Sequence, residues 1–208
     1  MLVTSDAKFA SQRTVPRLAR VRTAIAHGEL RLQVQGQADL LLPLAHPAHH
    51  AHARRQVEVW GDACWALDEG DAAAAWFTAA TGQPLRMVRV ADEMRRQVDP
   101  RFAATGVETG FADGFPVLVI NEASLAELNR ALREPVTMQR FRPNVVLSGA
   151  AAWAEDAWRQ VRTSTVALAL VKPCARCSIV NVDPDTGLAG AEPLRTLGAC
   201  RTNVRKGS

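Results

Sequence analysis

The length of its apolar runs is what most constrains this chain. Leu30-Arg-Leu-Gln-Val34 and Val57-Glu-Val59 alternate apolar and polar residues, the period of a strand with one buried face. Leu85–Val90, Pro116–Ile120, Asn144–Ser148 and Thr165–Val171 are equally short, each flanked by proline, glycine or polar residues. No run approaches the roughly 18 to 20 apolar residues that a membrane-spanning helix needs. The pattern predicts a mainly β protein with short helices, and no internal repeat is evident.

Two segments read as helices. Asp71 is placed to cap an alanine-rich helix running to about Thr81, with Gly82 as its stop. Ser124-Leu-Ala-Glu127 has the form of a capping box, opening a helix whose Leu125, Leu128 and Leu132 share one face before Pro135. The continuous run Pro116–Ile120 predicts a strand buried on both faces. Ser178–Val182 predicts a strand entering Asp183-Pro-Asp-Thr-Gly187, where Pro184 presets a turn and Gly187 permits positive φ. A polar connector near Asp92–Asp99, ahead of Pro100, divides the chain into a β-rich part, 1–95, and a second part, 100–208.

The 208 residues are 48% hydrophobic and 22% charged, enough to bury a sizeable core. The net charge of +4 is scattered, without basic blocks interleaved with aromatics, so a small anionic ligand suits the chain better than nucleic acid. Met1-Leu-Val-Thr-Ser-Asp6 shows no basic segment leading into an apolar run, which predicts a cytoplasmic protein without membrane attachment. Cysteines at 64, 174, 177 and 200 do not suggest a disulfide framework. His46, His49, His50 and His52 invite a metal reading, but they lack neighbouring carboxylates or thiols, and an exposed loop explains them equally well.

The chemistry concentrates in Lys172-Pro-Cys-Ala-Arg-Cys177. Nearby cations favour the thiolate, the form that attacks electrophiles or binds soft metals. The plainer alternative is a half-buried structural cysteine in a turn. Zinc bound by Cys174, Cys177, Cys200 and a histidine would lack a second close pair of ligands.

The cysteine loop with Val182-Asp-Pro-Asp-Thr-Gly187 resembles the signature of the MOSC family, the molybdenum-cofactor sulfurase C-terminal domain proteins, which include amidoxime-reducing components. Phe115–Asn129, Arg140–Gly149 and Ala154–Trp158 are similar to its upstream motifs, and Val57–Asp62 and Gly70–Phe77 to its N-terminal β-barrel-like region. The resemblance implies a MOSC-type β-barrel beside a β-rich N-terminal subdomain. It implies a molybdenum cofactor, a pyranopterin dithiolene, with Cys177 as metal ligand and catalytic residue and with Asp113, Arg142, Asn144, Ala175 and Arg176 contacting the cofactor. Cys174 matches a less required position, and pyridoxal phosphate binding is a further expectation.

The implied activity is reduction of small N-hydroxylated substrates, with electrons from a separate iron–sulfur or flavin reductase. Alternatives are a sulfur carrier for metal–sulfur cluster assembly and a non-catalytic or partner-dependent fragment. The family pattern extends past both ends of this chain, through a Lys-Ser and an Asp-Arg pair before Met1 and closing strands after Ser208. The expectation is a chain truncated at both ends, whose open sheet edges pair with a partner or another copy.

Overall fold

The computed structural model describes residues 1–45 and 53–206. The histidine run therefore lies outside the described residues. The architecture is mainly β with short helices, and the chain forms two compact units. Unit 1 comprises Met1–Arg96, Glu108–Asp113 and Val182–Leu188, and unit 2 the remainder.

In unit 1, β1 (Leu2–Val3) is followed by a 3₁₀ turn at Pro16–Arg20 and the meander β2 (Arg22–Ala26), β3 (Glu29–Gln33) and β4 (Leu40–Pro43). Then come β5 (Arg54–Val59), β6 (Asp62–Asp68), α1 (Asp71–Thr81) and β7 (Arg86–Val90), and a four-stranded antiparallel sheet has the order β1-β7-β6-β5. Trp60 and Gly61 join β5 to β6 with φ of 56° and 92°, the positive pair that a two-residue hairpin turn of matching twist requires. Val3, Val57, Val59, Ala66 and Val88 pack on one face of this sheet. Trp76 and Phe77 of α1 pack with Leu18, Leu32 and Leu42, and the Trp76 indole N–H donates to the Ala38 carbonyl at 2.6 Å.

Helix α1 matches its expected bounds, but Asp71 does not cap it. Gly70 holds the N-cap position with no side-chain cap, and the Asp71 carboxylate instead accepts from Arg86 Nη2 at 2.9 Å. Gly82 ends the helix in the left-handed region, its N–H donating to the Thr78 carbonyl at 2.8 Å.

In unit 2, β8 (Val119–Asn121) runs straight into α2 (Glu122–Ala131), and the chain returns through a 3₁₀ turn at Met138–Phe141 to β9 (Val145–Leu147), parallel to β8. The hairpin β10 (Gln160–Arg162) and β11 (Ala167–Ala169), a 3₁₀ turn at Ser178–Asn181 and α3 (Leu194–Lys206) complete the unit. Leu128, Phe141 and Val180 form its buried core, flanked by Ile120, Leu125, Trp153 and Leu197.

Three local expectations are corrected here. The cap of α2 is Asn121, three residues before Ser124: its Oδ1 accepts the Ala123 N–H at 3.2 Å, while Nδ2 donates to the Ala151 carbonyl at 2.7 Å. The Ser124 hydroxyl is taken by the Trp153 N–H at 2.8 Å, so it is not available as a cap. The run Pro116–Ile120 is exposed or half-buried rather than buried on both faces, because β8 has a single strand neighbour. Of the segment Ser178–Val182, residues Ser178–Asn181 form a 3₁₀ turn rather than a strand, and Asn181 caps α3 through Oδ1 on the Leu194 N–H at 2.9 Å.

Candidate functional site

The cysteine loop links β11 to the 3₁₀ turn at Ser178–Asn181. All four cysteines are free thiols. Cys177 is half-buried, and its carbonyl accepts the Val180 N–H at 3.3 Å, while Val180 is fully buried in the core of unit 2. The main chain at Cys177 is thus tied to a buried residue three positions on. Cys174 is exposed.

Arg176 ties the loop down from its other side. Its Nη2 donates to the Phe141 carbonyl at 2.8 Å, its Nη1 lies 3.2 Å from Cys174 Sγ, and its guanidinium sits 5.8 Å from the Phe141 ring centroid. The Nε–H is buried and has no partner among the described residues. A buried donor left without an acceptor costs about 1–3 kcal/mol, so this atom marks a position that a ligand oxygen, nitrogen or sulfur would satisfy.

Phe141 leads directly into Arg142, whose φ of 52° and ψ of 48° turn the chain sharply toward β9. The Arg142 guanidinium is exposed and has no side-chain partner among the described residues, leaving its planar fork available to an anion. Asn144 is partly committed to structure: Oδ1 accepts the Leu118 N–H at 2.8 Å, which leaves Nδ2 as its donor toward a ligand. Ala175 is exposed, and its carbonyl lies 3.8 Å from Cys174 Sγ.

Asp113 belongs to unit 1. There Arg96, with its side chain 9% exposed, donates to the carbonyls of Gly110 (3.3 Å), Ala112 (2.6 Å) and Asp113 (3.1 Å) and pairs with Asp62 at 2.7 Å. The Asp113 carboxylate itself is exposed. Sequence reasoning missed Arg96, because its acceptors are main-chain carbonyls that carry no sequence signal.

It missed a second cluster as well. Lys172 Nζ lies 4.8 Å from the Phe102 ring centroid and 5.7 Å from that of Phe115, and the two rings meet edge to face at 6.3 Å. Beside them Asp99 is held down to about 2 by hydrogen bonds from Arg101, helped by the Lys172 charge.

Among the described residues no group of three or more His, Cys, Asp or Glu side chains is gathered to hold a metal. A metal that arrives on its own dithiolene chelate needs a single protein thiolate, and the free, half-buried Cys177 fits that need. Unpaired donors on Arg142 and Arg176 suit its anionic periphery. Among the described residues no helix is long and apolar enough to cross a membrane.

A mainly β protein carrying a half-buried thiol between a guanidinium and a core-anchored turn is the class these features define. Residues 107–208 match the MOSC domain, and residues 1–84 match the MOSC N-terminal beta barrel domain. The chain belongs to the MOSC family. It is similar to mitochondrial amidoxime-reducing component 1 of Homo sapiens, 34% identical over 210 residues, and to mitochondrial amidoxime reducing component 2 of Rattus norvegicus, 32% identical over 208 residues. Each alignment covers 97% of this chain, but the chain spans only 60% and 61% of those relatives. A solution structure of a Bordetella bronchiseptica protein aligns with a TM-score of 0.43 at 28% identity, covering 48% of this chain and 77% of that one.

Proposed function

We propose that this chain binds a molybdenum cofactor through Cys177 and reduces N-hydroxylated compounds. The observation that carries the reading is the Arg176 tie from the cysteine loop to the Phe141 carbonyl, next to the exposed Arg142, with one guanidinium N–H left buried and unpartnered among the described residues. A core-anchored Cys177 is flanked by Arg176 with a buried, unpartnered Nε–H, in a family whose similar members are amidoxime-reducing components.

In this reading Cys177 supplies the thiolate ligand, and Arg142 and Asn144 Nδ2 offer donors to the anionic and carbonyl oxygens of the cofactor. Arg176 Nε–H donates from the loop itself, and the exposed Ala175 leaves the approach beside the thiol uncrowded. The cofactor, when bound, supplies the two-electron chemistry that removes oxygen from an N-hydroxylated nitrogen. Electrons come from a separate iron–sulfur or flavin reductase. The reading assigns no residue to pyridoxal phosphate.

The test is elemental and pterin analysis of protein made in a host that synthesises molybdenum cofactor. Near-stoichiometric molybdenum that disappears in Cys177→Ala, together with reduction of benzamidoxime by a chemical reductant, supports the reading. Folded wild-type protein without molybdenum overturns it.

A further inference from the structure

From Val171 to Cys177 no main-chain N–H donates a hydrogen bond among the described residues. The last ladder bond before the loop is Leu170 N–H to the Arg159 carbonyl, and the next main-chain bond is the one that Cys177 itself accepts from Val180. A stretch this poorly tied would let its thiol wander by ångströms, and a metal ligand tolerates far less. Something other than the backbone therefore sets its geometry.

We infer that Arg176 is a positioning residue, a side-chain staple that fixes the Cys177 thiol by fastening the cysteine loop to the main chain of Phe141, with Cys174 as its second acceptor. The inference rests on the proposed role of Cys177 as metal ligand. It differs from a cofactor contact because two of the guanidinium nitrogens are spent on acceptors of the protein itself. Nη2 reaches a carbonyl 35 residues away in sequence, on a residue 6% exposed in the core, and Nη1 reaches Cys174 within the loop. The neighbouring Cα atoms of Arg176 and Cys177 are about 3.8 Å apart, so the side chain that is pinned drags the thiol with it. Phe141 and Val180 belong to one core cluster, so both anchors of the loop refer to the same packed surface.

The staple also joins two parts of the candidate site. The carbonyl that Arg176 holds belongs to the residue just before Arg142, so one fork sets the cysteine loop against the corner that presents the free guanidinium. A lysine carries a point charge on a flexible stem and cannot reproduce a planar fork to two acceptors. Cys174 gains a role from this arrangement without being a ligand: its sulfur is a weak acceptor that keeps the fork in plane.

The experiment begins with apo protein and iodoacetamide, following each cysteine by peptide mass spectrometry. Loss of a charged hydrogen bond in Arg176→Gln is expected to speed Cys177 alkylation about tenfold when rates are compared at the alkaline plateau, where loss of the cation no longer alters the thiolate fraction. Cys200, which packs on the same core cluster, should keep its wild-type rate. Arg176→Lys should fall between, and Cys174→Ala should raise the rate by about twofold, as befits a weak sulfur acceptor.

In molybdenum-loaded protein, Arg176→Lys should retain metal and shift the Mo(V) paramagnetic resonance signal. An unchanged Cys177 rate, a parallel rise at Cys200, or an unshifted Mo(V) signal would each overturn the staple. Failure of the underlying reading shows separately, as a Cys177→Ala protein that keeps its molybdenum.

Discussion

Asn144 and Leu118 are joined by a closed pair of hydrogen bonds: Oδ1 of Asn144 accepts the Leu118 N–H at 2.8 Å, and the Asn144 N–H donates to the Leu118 carbonyl at 2.9 Å. The side chain stands in for a strand neighbour just before the parallel ladder begins at Val119 and Val145. It spends one end of the amide on register and keeps the other for a ligand.

Asn144→Asp retains the acceptor and loses the Nδ2 donors, so urea unfolding should stay near wild type while molybdenum content falls. Asn144→Ala removes both, and should in addition lower stability by about 1 kcal/mol. Equal molybdenum retention in wild type and Asn144→Asp would remove Asn144 from the proposed site.

Asp68 offers a pH-linked prediction. Its side chain is 4% exposed and accepts from Arg86 Nε at 2.7 Å, from Arg55 Nε at 3.0 Å and from the Gly70 N–H at 2.9 Å. Burial alone would push its carboxyl up, but the hydrogen bonds, led by Arg86, outweigh burial and hold it below its ordinary value. A depressed folded pKa contributes stability that is present above the unfolded value of about 3.9 and is lost as pH falls through the folded one. Asp68→Asn leaves Arg55 without its anion and Arg86 with Asp71 alone, and, both guanidiniums being partly exposed, should cost about 2 kcal/mol at pH 7. The gap from wild type in urea midpoints should narrow below about pH 4; a gap independent of pH would contradict the assignment.

Asp99 should titrate near 2 in a carbon-detected NMR titration, because Arg101 binds it through both Nε and Nη2. Arg101→Gln should raise it from there, but only part of the way to the ordinary aspartate value, because the Arg101 main-chain N–H at 3.0 Å and the Lys172 charge remain. No movement would mean that the pair does not persist in solution.

Gly187 ends the Asp183–Gly187 turn with φ of 71°, and a Cβ there would lie 3.2 Å from the Arg17 Cα and 3.3 Å from the Arg20 Cδ. Gly187→Ala therefore combines left-handed strain with backbone crowding and should cost about 2 kcal/mol or more, read as a lower urea midpoint. Wild-type stability would show that the turn can open away from the Pro16–Arg20 segment.

Several features could be read from local pattern because they depend on a residue's own φ and ψ or on a short period. Gly82 ends α1 where a left-handed residue was expected. Asp183 and Gly187 close the predicted turn, with Asp183 Oδ1 accepting the N–H groups of Asp185 and Thr186 at 3.0 and 2.9 Å. The short alternating runs became the strands β3 and β5, the short run Leu85–Val90 became β7, and the motif strings identified the family.

Other features required partners that no local window contains. Ser124 and Asn121 are equally good caps on paper, and the choice fell to Asn121 because Trp153, 29 residues beyond Ser124, takes the serine hydroxyl. The two-sided burial expected for Pro116–Ile120 failed because apolar content does not say how many neighbours a strand will have. The sequence by itself determined which residues carry thiol, guanidinium and amide chemistry, and where the chain must turn. Only the tertiary structure decided what each polar group spends its hydrogen bonds on, since Phe141, Leu118 and the Gly110–Asp113 carbonyls become acceptors or donors for these side chains only when folding brings distant backbone within about 3 Å.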